Sequence, residues 1–402
     1  MFTIDRQPGQ LVPVKVWLPD ISQLEEECLQ QAVNLAKLPF AFHHIALMPD
    51  THAGFGMPIG GVLAAENVVV PNAVGVDIGC GMCFVETDIH LNEVSKEDMQ
   101  FLVGQILRQI PTGFNHHKTK QPSQVLDRFA NRLAESDCYR PPELVKEIER
   151  GYYQMGTLGG GNHFIEIQAD ERDMVCIMLH SGSRNFGWQI AKHFNHLAKT
   201  LNIRWQQPDP VTYDLAFLPL SSTEGNSYMV WMDLALQFAM ENRHRMMDIV
   251  MDILQKHRPA VTFSRFINAH HNYAALEHHF GRQVVVHRKG AIRARRGEPG
   301  IVPGAMGTAS YIVEGLGNAA SFHSCSHGAG RIMSRKKATA TIPVQKTMED
   351  LQQLGVVLGK HKKSDVSEES RFAYKDIEYV ISQQRDLIKP VKKLRTLAVV
   401  KG

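Results

Sequence analysis

Residues 74–83 have the sequence VGVDIGCGMC, in which an apolar run meets an acid, glycines and thiols. We predict a buried strand that breaks into a tight loop here, because glycine permits backbone conformations that other residues disfavour. Such a loop turns the carboxylate of Asp77 and the thiol of Cys80 toward one point. A thiolate beside a carboxylate needs a cation between them, so the pair indicates a divalent ion such as Mn, Zn, Fe or Co. The alternative is a purely structural pair, with Cys80 as a small buried side chain and Asp77 as a turn residue.

Three histidines stand where other strand-like segments end, namely His163, His180 and His271. Glycine-rich loops at strand ends are the places where a rigid scaffold presents ligand side chains. With Asp77 and Cys80, these histidines would supply thiolate, imidazole and carboxylate ligands to one or two metal ions. No HExxH pattern fixes the metal. A single histidine at a strand end is more often structural, so the prediction depends on all three coming together.

Composition limits the classes of protein that this chain can belong to. It has 402 residues, of which 44% are hydrophobic and 21% charged, and a net charge of +3. These values are typical of a globular protein, and the charge is too small to indicate nucleic-acid binding without a local basic patch. Six scattered cysteines predict a reducing compartment rather than a disulfide framework. Without a signal-peptide pattern or an apolar run of membrane-spanning length, we predict a soluble cytoplasmic protein with no membrane association.

Helical and strand-like patterns alternate irregularly along the chain, which favours the α+β class over regular βαβ repeats. No composition shift marks a boundary, so we expect one domain, 1–402, with 202–225 as a probable variable insertion. Helical periodicity predicts helices at 21–38, 95–110, 123–150 and 226–257. Strands are predicted at 11–17, where a proline favours an edge position, and at 42–48, 174–179, 267–269 and 397–400.

A second candidate site is the stretch FHSCSHGAGR at residues 322–331. Small residues surround His327 and leave room for a bulky group at its ring. A histidine can attack phosphorus when one ring nitrogen is held by a hydrogen bond and the other faces the electrophile. The guanidinium of Arg331 is suited to bidentate phosphate binding. The alternatives for His327 are a further metal ligand and a structural role beside Cys325.

Two further patterns are compatible with phosphate binding. The glycine-rich segments 302–311 and 315–318 could present backbone N–H groups to a nucleotide, although ordinary turns have the same composition and no Walker or Rossmann pattern is present. Residues 288–296 contain five cations, each of which could neutralise a phosphate of a polyanion. The alternative for this basic run is a solvated charged surface.

Together these motifs resemble those of the RtcB family of RNA-splicing ligases. The resemblance covers nearly the whole chain in order. It rests on MPD at 48–50, VDIGCGM at 76–82, GNHFIE at 161–166, HSGSR at 180–184, HN at 271–272, PGAMG at 303–307, SHGAGR at 326–331, YKD at 374–376 and KG at 401–402. It implies a compact α+β catalytic domain with central, mostly antiparallel sheets flanked by helices.

The resemblance implies a GTP- and manganese-dependent ligase. Such a ligase joins RNA ending in a 3′-phosphate or 2′,3′-cyclic phosphate to RNA with a 5′-hydroxyl, in tRNA splicing or RNA repair. His327 would attack the α-phosphorus of GTP to give a histidine–GMP intermediate. The RNA 3′-phosphate would take the guanylyl group as RNA(3′)pp(5′)G, and the 5′-hydroxyl would displace GMP. Two alternatives remain: a metal-dependent hydrolase of the same RNA ends, and an inactive RNA-binding relative.

The same resemblance implies roles for individual residues. Cys80 would bridge two manganese ions, one also held by His180 and His271, the other by Asp77 and His163. The residues expected at GMP are Asn162, Glu166, Ser310, Ala329, Gly330, Tyr374 and Lys401.

Around the nucleophile, Asp50 would hold the far nitrogen of His327, and Arg184 and Arg331 would bind RNA or triphosphate oxygens. Expected partners are RNA, such as tRNA halves or damaged RNA, GTP and an archease-type activator. One departure is Ala305, where many relatives have serine. The missing hydroxyl would remove one neutral hydrogen bond to the nucleotide, about 0.5–1.5 kcal/mol.

Overall fold

The computed structural model describes residues 1–6, 8–135, 139–362 and 364–402, with the backbone alone for 131–135. Its strands are β1 (Phe2–Ile4), β2 (Val14–Val16), β3 (Ala41–Phe55), β4 (Met57–Ala65), β5 (Val68–Val69), β6 (Gly81–His90), β7 (Phe164–Asp170), β8 (Met174–Ser181), β9 (Leu218–Pro219), β10 (Phe263–His270), β11 (Asn272–His279), β12 (Arg282–Lys289), β13 (Ala291–Arg293), β14 (Pro299–Val302), β15 (Ser310–Gly315), β16 (Ser324–Ser326), β17 (Val357–Gly359) and β18 (Ile388–Lys401).

The α-helices are α1 (Glu26–Ala36), α2 (Pro71–Val74), α3 (Lys96–Gln109), α4 (Gln124–Glu135), α5 (Pro142–Gln154), α6 (Arg184–Arg204), α7 (Pro208–Thr212), α8 (Thr223–His257), α9 (Arg335–Thr341), α10 (Val344–Gln353) and α11 (Ile377–Ser382). Short 3-10 helices cover Ile21–Gln23, Leu91–Glu93, Ala319–Ser321, Val366–Glu369 and Arg371–Ala373.

Two large sheets organise the chain. The first has the strand order β1-β2-β3-β4-β12-β11, and the second has the order β10-β6-β8-β7-β18-β15-β14, with β17 beside β18. Within these sheets the pairs β2–β3 and β17–β18 are parallel and the others are antiparallel. The end strand β14 packs against β6 and β10, so the second sheet nearly closes into a barrel. The predicted α+β class with mostly antiparallel sheets flanked by helices is confirmed.

The long helix α8 packs against the second sheet. Its N-terminus is capped by Ser222, whose Oγ accepts from the N–H of Gly225 at 3.0 Å. It buries Tyr228, Trp231 and Phe238 in the core, and it packs against β6, β8 and β10. The helix predicted at 226–257 is confirmed. Its central position matters because three strands that carry candidate ligands end on it.

The segment around residue 77 differs from the predicted strand followed by a loop. Residues Pro71–Val74 form α2, a loop follows, and the strand begins only at Gly81. A Cβ at Gly81 would lie 2.1 Å from the carbonyl oxygen of Ala269, which shows how closely β6 and β10 approach. Strand pairing therefore starts at Gly81, and the loop precedes the strand instead of ending it.

Several other boundaries also differ from the sequence predictions. β2 lies between β1 and β3, so the predicted edge position is wrong. An inner position is possible because Pro13 lies just before the strand, where its missing N–H is not needed for pairing. β3 continues to Phe55 through irregular pairing with β4. The helix predicted at 123–150 is two helices, α4 and α5, with Pro141 and Pro142 at the start of the second. The last strand begins at Ile388, well before residue 397.

The segment 202–225 contains α7 and β9 and is not a plain loop. Leu215, Ala216 and Leu218 are fully buried in it. Whether it is a variable insertion stays a prediction. Among the described residues, the five cysteines are free and buried; Cys138 lies outside the described residues, and the reducing compartment stays a prediction.

Candidate active site

Four segments deliver metal-ligand side chains to one buried point. Cys80 comes from the loop before β6, His163 precedes β7, His180 lies near the end of β8, and His271 joins β10 to β11. The Cys80 Sγ lies 3.2 Å from the Nε2 of His180 and 3.4 Å from the Nε2 of His163. Asp77 places Oδ2 3.2 Å from the same His163 nitrogen. The Nε2 atoms of His180 and His271 are 3.4 Å apart.

Backbone carbonyls fix which nitrogen of two of these histidines is free. The Nδ1 of His163 is 3.0 Å from the carbonyl oxygen of Leu158, and the Nδ1 of His180 is 3.2 Å from that of Asn162. A carbonyl only accepts, so each Nδ1 carries the proton and each Nε2 presents a lone pair to Cys80. Lone pairs converging on a thiol favour a cation among them, so this donor set fits a divalent metal ion.

The electrostatics of the cluster agree with metal binding. Burial holds the pKa of His180 and His271 well below the usual value, so both rings are neutral and able to ligate. Although burial acts in the opposite direction, the adjacent His163, the Cys80 thiol and the charge of Arg184 lower the pKa of Asp77 to about 2. Burial, reinforced by the charge of Asp77, raises the pKa of the Cys80 thiol well above its usual value. A bound cation would be needed to keep the thiolate.

His327 follows β16 and is held by a single carboxylate. The Oδ2 of Asp50, which is fully buried, accepts from the ring Nδ1 of His327 at 2.7 Å and from its backbone N–H at 3.0 Å. The other ring nitrogen, Nε2, is therefore unprotonated when the ring is neutral. Glycines admit the close contacts: a Cβ at Gly290 would lie 3.0 Å from Cε1 of His327, and a Cβ at Gly330 would lie 2.2 Å from the backbone oxygen of Asp50. The His327 ring centroid is 4.8 Å from that of His271, which places His327 beside the metal cluster.

A cavity of about 360 Å³ opens at the ring of His327. It contains most of the residues predicted at a nucleotide, namely Asn162, Glu166, Ala329, Gly330, Arg331, Tyr374 and Lys401. It also contains Phe164 and Gly328 from the quoted motifs, and four residues that the sequence did not point to, namely His52, Ile59, Arg335 and Glu369. The cavity therefore combines the ring of His327 with several cations and several hydrogen-bonding groups.

A family profile described as "tRNA-splicing ligase RtcB" matches residues 31–402. The chain belongs to the RtcB family. It is 38% identical to the RNA-splicing ligase RtcB of Escherichia coli K12 over 97% of both chains. It is 32% identical to the tRNA-splicing ligase RtcB of Pyrobaculum aerophilum over 98% of this chain and 96% of the relative. It is also 31% identical to an RNA-splicing ligase RtcB homolog of Entamoeba dispar, over 96% of this chain and 84% of that one.

One residue of the set expected from the RtcB resemblance stands apart from the cavity wall. Ser310 is 2% exposed, and its Oγ accepts from the backbone N–H of Gly304 at 3.2 Å and from Gln168 Nε2 at 3.3 Å. Its hydroxyl thus supports the loop at Gly304, which does line the cavity. Ala305, the next residue, also lines the cavity. Many members of the RtcB family have serine at this position, whereas alanine offers no hydroxyl there.

Glu166 is a buried carboxyl at the inner end of the cavity. Its Oε2 accepts from Gln168 Nε2 at 2.6 Å and from Thr396 Oγ1 at 3.2 Å. Burial raises its pKa to about 7, against the opposing effect of Lys401. At neutral pH this group exchanges a proton, and a donor from a ligand would favour the ionised form.

Glu369 joins the cationic side of the cavity and was missed by the sequence analysis. It accepts from the hydroxyl of Tyr374 at 2.6 Å and lies 3.3 Å from both Arg331 and Arg335 and 3.5 Å from Lys401. It lies in a short 3-10 helix with no recognisable motif, and only the tertiary fold reveals it. Its carboxylate fixes the positions of three cations that face the cavity.

The basic run at 288–296 is not a continuous phosphate track, because its first two cations are buried. Arg288 is fully buried and lies 2.5 and 3.1 Å from the two carboxylate oxygens of Glu277. Lys289 is 8% exposed and donates to the backbone oxygens of Phe55 and Asn72. Buried cations with internal partners cannot reach a polyanion, so this prediction is wrong for both residues.

Of the remaining cations, Arg295 and Arg296 are exposed, so phosphate binding by these two stays a prediction, whereas Arg293 has an internal partner. Arg293 pairs with Glu298 at 2.7 Å. The backbone of Gly315 packs against residues 294–295, and the amide of Asn318 donates to a carboxylate oxygen of Asp386 at 3.1 Å. The prediction of a nucleotide loop is thus wrong for 315–318, whereas Pro303, Gly304, Ala305 and Met306 do line the cavity. Among the described residues, none of the helices combines the length and apolar character that crossing a bilayer requires.

Proposed function

We propose that this chain is an RNA ligase that joins RNA 3′-phosphate or 2′,3′-cyclic phosphate ends to 5′-hydroxyl ends with GTP. The observation that supports this most is the pair His327–Asp50. The carboxylate of Asp50 lies 2.7 Å from Nδ1 of His327. The same ring lines a cavity of about 360 Å³ and lies beside the thiol–imidazole cluster. Relatives of the chain are named as RNA-splicing or tRNA-splicing ligases, and the family profile matches residues 31–402, which include every residue of this site.

The proposed chemistry starts with the lone pair on Nε2 of His327. Attack on the α-phosphorus of GTP forms a P–N bond and breaks the P–O bond to pyrophosphate, while Asp50 stabilises the positive charge on the imidazole. An oxygen of the RNA 3′-phosphate then attacks the same phosphorus, and the P–N bond breaks to give RNA(3′)pp(5′)G. Finally the 5′-hydroxyl attacks the RNA phosphate, loses its proton and releases GMP. A cyclic phosphate end must first be opened by water.

The metal ligands in this proposal are Asp77, Cys80, His163, His180 and His271. Cys80, His180 and His271, with Asp77 and His163 beside them, would hold manganese, as two ions if the family resemblance applies. Such ions supply neutralisation of charge on the phosphate oxygens during displacement. Thiolate and imidazole ligands alone would favour zinc, so the choice of manganese follows from the family resemblance.

For the nucleotide, we propose contacts from Asn162, Glu166, Tyr374 and Lys401 and from the backbone of 329–330. Ser310 contributes through the loop at 303–306 that it supports. Arg331 is oriented toward the cavity by Glu369 and Tyr374 and is placed to bind a phosphate oxygen. A cytoplasmic location, tRNA halves or damaged RNA as substrates and an archease-type activator belong to the same proposal.

The decisive experiment is guanylylation with radiolabelled GTP and manganese. We expect a protein-linked GMP that is stable to alkali and labile to acid, and complete loss of that adduct in His327→Ala. His323→Ala is the matched control, because it removes a histidine of the same segment that does not line the cavity; it should keep the adduct. An adduct that persists in His327→Ala would disprove the nucleophile. Opening of cyclic phosphate ends by a wild-type protein that never forms an adduct would favour the hydrolase instead.

A further inference from the structure

A second and larger cavity lies on the other side of the metal cluster. Its volume is about 1340 Å³, and it shares Asn162 and Arg335 with the cavity at His327. Its wall includes Asp77 and His163, which belong to the thiol–imidazole cluster. We call it the groove. A polymer lying in the groove would therefore place its end at the cluster without passing through the nucleotide cavity.

The charge of the groove suits a polyanion. Its wall has the cations Arg150, Arg184, Arg335, Lys360 and Lys362 against the acids Asp77, Asp365 and Glu368. One of these acids, Asp77, belongs to the metal cluster. The excess of cations is therefore local, since the whole chain carries a net charge of only +3.

Arg184 is built into the groove wall with some strain. Its backbone has φ of +60°, which a residue with a side chain seldom adopts. The guanidinium donates to Thr157 Oγ1 at 3.2 Å and to the carbonyl oxygen of Gly113 at 3.4 Å. It lies so close to Gly159 that a Cβ on this glycine would be 2.2 Å from Nη1 of Arg184. Its hydrogen bonds hold it against the wall, where its charge faces the groove.

Phe114 is a fully exposed aromatic side chain on a fixed backbone. The turn that carries it is held by hydrogen bonds from Gly113 N–H to Gly159 at 2.9 Å and from Asn115 N–H to Thr112 at 3.2 Å. Trp188 on α6 is 41% exposed and lines the same groove, with Lys192 Nζ 5.1 Å from its ring centroid. Leaving aromatic surface in water is unfavourable, so two exposed rings in one cationic groove indicate a ligand that has flat faces of its own.

We propose that the groove binds the unpaired terminal nucleotides of the RNA, with bases stacked on Phe114 and Trp188 and phosphates neutralised by Arg184 and its neighbours. Aromatic side chains stack on bases that are free of a duplex, and this contact tolerates any base sequence. The proposal rests on the proposed function, because it identifies the bound polymer as the substrate of the ligase. It adds that a single-stranded end, of any sequence, is the form that the groove accepts.

The test compares Phe114→Ala, Trp188→Ala and the double variant in steady-state ligation of RNA with single-stranded ends. We expect each single change to raise the KM for RNA about tenfold with little change in kcat, and Phe114→Tyr to restore it. Phe266→Ala is the matched control, since Phe266 is 43% exposed and lies outside both cavities. An unchanged KM in the double variant would overturn the proposal, as would equal ligation of fully paired blunt ends.

Direct binding separates a failure of this inference from a failure of the ligase assignment. Anisotropy of a labelled single-stranded RNA should show the same loss of affinity in Phe114→Ala without any catalytic turnover. If no GMP adduct forms but RNA affinity still depends on Phe114 and Trp188, the ligase assignment fails and the groove assignment holds. If the adduct forms normally while RNA affinity is indifferent to both rings, or an acidic peptide competes as well as RNA, the groove assignment fails alone.

Discussion

At the scale of single residues, the site contains two carboxyl groups, those of Asp50 and Glu166, whose different surroundings give them different properties. Asp50 accepts two hydrogen bonds from His327 through one oxygen, which ties the backbone and the ring of one residue to one point. Glu166 is deeply buried, so its pKa rises to about 7, although hydrogen bonds from Gln168 and Thr396 act in the opposite direction. The first carboxylate can orient a nucleophile, whereas the second is poised to change charge when a ligand arrives.

The raised pKa of Glu166 predicts proton release on nucleotide binding. A base N–H that donates to this carboxyl favours the ionised form, so binding below about pH 7 must expel a proton, and affinity should rise with pH up to that value. Above about pH 7 the group is already ionised, and no further gain is expected. Calorimetric titration with GTP in buffers of different ionisation enthalpy measures the released proton.

Glu166→Gln is the control for that titration, because it cannot ionise and keeps the size of the side chain. The difference between the wild type and Glu166→Gln cancels the ionisation of the nucleotide phosphates, which titrate in the same range. Equal proton release in both proteins near pH 6 would show that Glu166 does not ionise on binding.

Individual residues were predictable where a local pattern carried them. Asp77 and Cys80 share one glycine-rich loop, and His163, His180 and His271 each mark a strand junction, so the sequence pointed to all five. Glu369 had no such pattern, because its role comes from four partners distributed over the last third of the chain. Local sequence also could not show that Arg288 is neutralised by Glu277, since that pair forms across two strands.

At the scale of elements, α8 holds the strand ends that carry the ligands. The guanidinium of Arg243 is fully buried and donates to the carbonyl oxygens of Gly79 at 2.7 Å and Ser181 at 3.0 Å. It also donates to Asn268 at 2.7 Å and lies 3.1 Å from the ring of His270. One side chain thus connects the loop of Cys80, the end of β8 and the end of β10. The sequence analysis found the helix but not this function, because the contacts are long-range.

Replacing Arg243 should therefore loosen several elements together. Arg243→Lys keeps the charge but cannot span four acceptors, so we expect a loss of about 2–4 kcal/mol of unfolding free energy, from buried groups left without partners. Metal affinity should fall as well, since the strand ends lose their fixed spacing. Urea unfolding of the metal-free protein and a metal titration measure the two effects.

Arg245→Lys on the same helix serves as the comparison, because Arg245 is only partly buried and contacts residues 121–122. It should change stability by well under half as much as Arg243→Lys. Equal destabilisation by both substitutions would mean that Arg243 acts only as a general helix contact.

At the scale of the whole molecule, the metal cluster joins parts of the chain that are far apart in sequence. Cys80 and His271 are delivered by opposite halves of the chain, and Asp50 reaches His327 across 277 positions. The predicted α+β class followed from irregular alternation of helices and strands, yet neither the strand order nor the near-closed barrel could be read from it. Strand order depends on which apolar faces pack together, and periodicity alone does not encode that pairing.

Because the ligands come from separate segments, a bound ion should stabilise the entire fold. At a thousandfold excess over the dissociation constant, binding adds about 4 kcal/mol to the unfolding free energy. For a chain of 402 residues this corresponds to a rise in Tm of about 5 °C. Calorimetry of chelator-treated protein, before and after addition of manganese or zinc, measures the rise. Zinc should give the larger shift at equal concentration, because thiolate and imidazole favour it over manganese.

Cys80→Ala should abolish that rise, whereas Cys83→Ala should keep it, although both remove a buried thiol from the same short segment. The two side chains differ in surroundings: Cys83 packs in an apolar cluster with Leu179 and Met246, whereas Cys80 faces the histidines. A lower starting Tm is expected in both variants, so the quantity to compare is the metal-induced increment. An equal increase in Tm in the two variants would mean that the ion does not bind at Cys80. The electrostatic support that the proposed transfer from His327 requires would then be missing from the site.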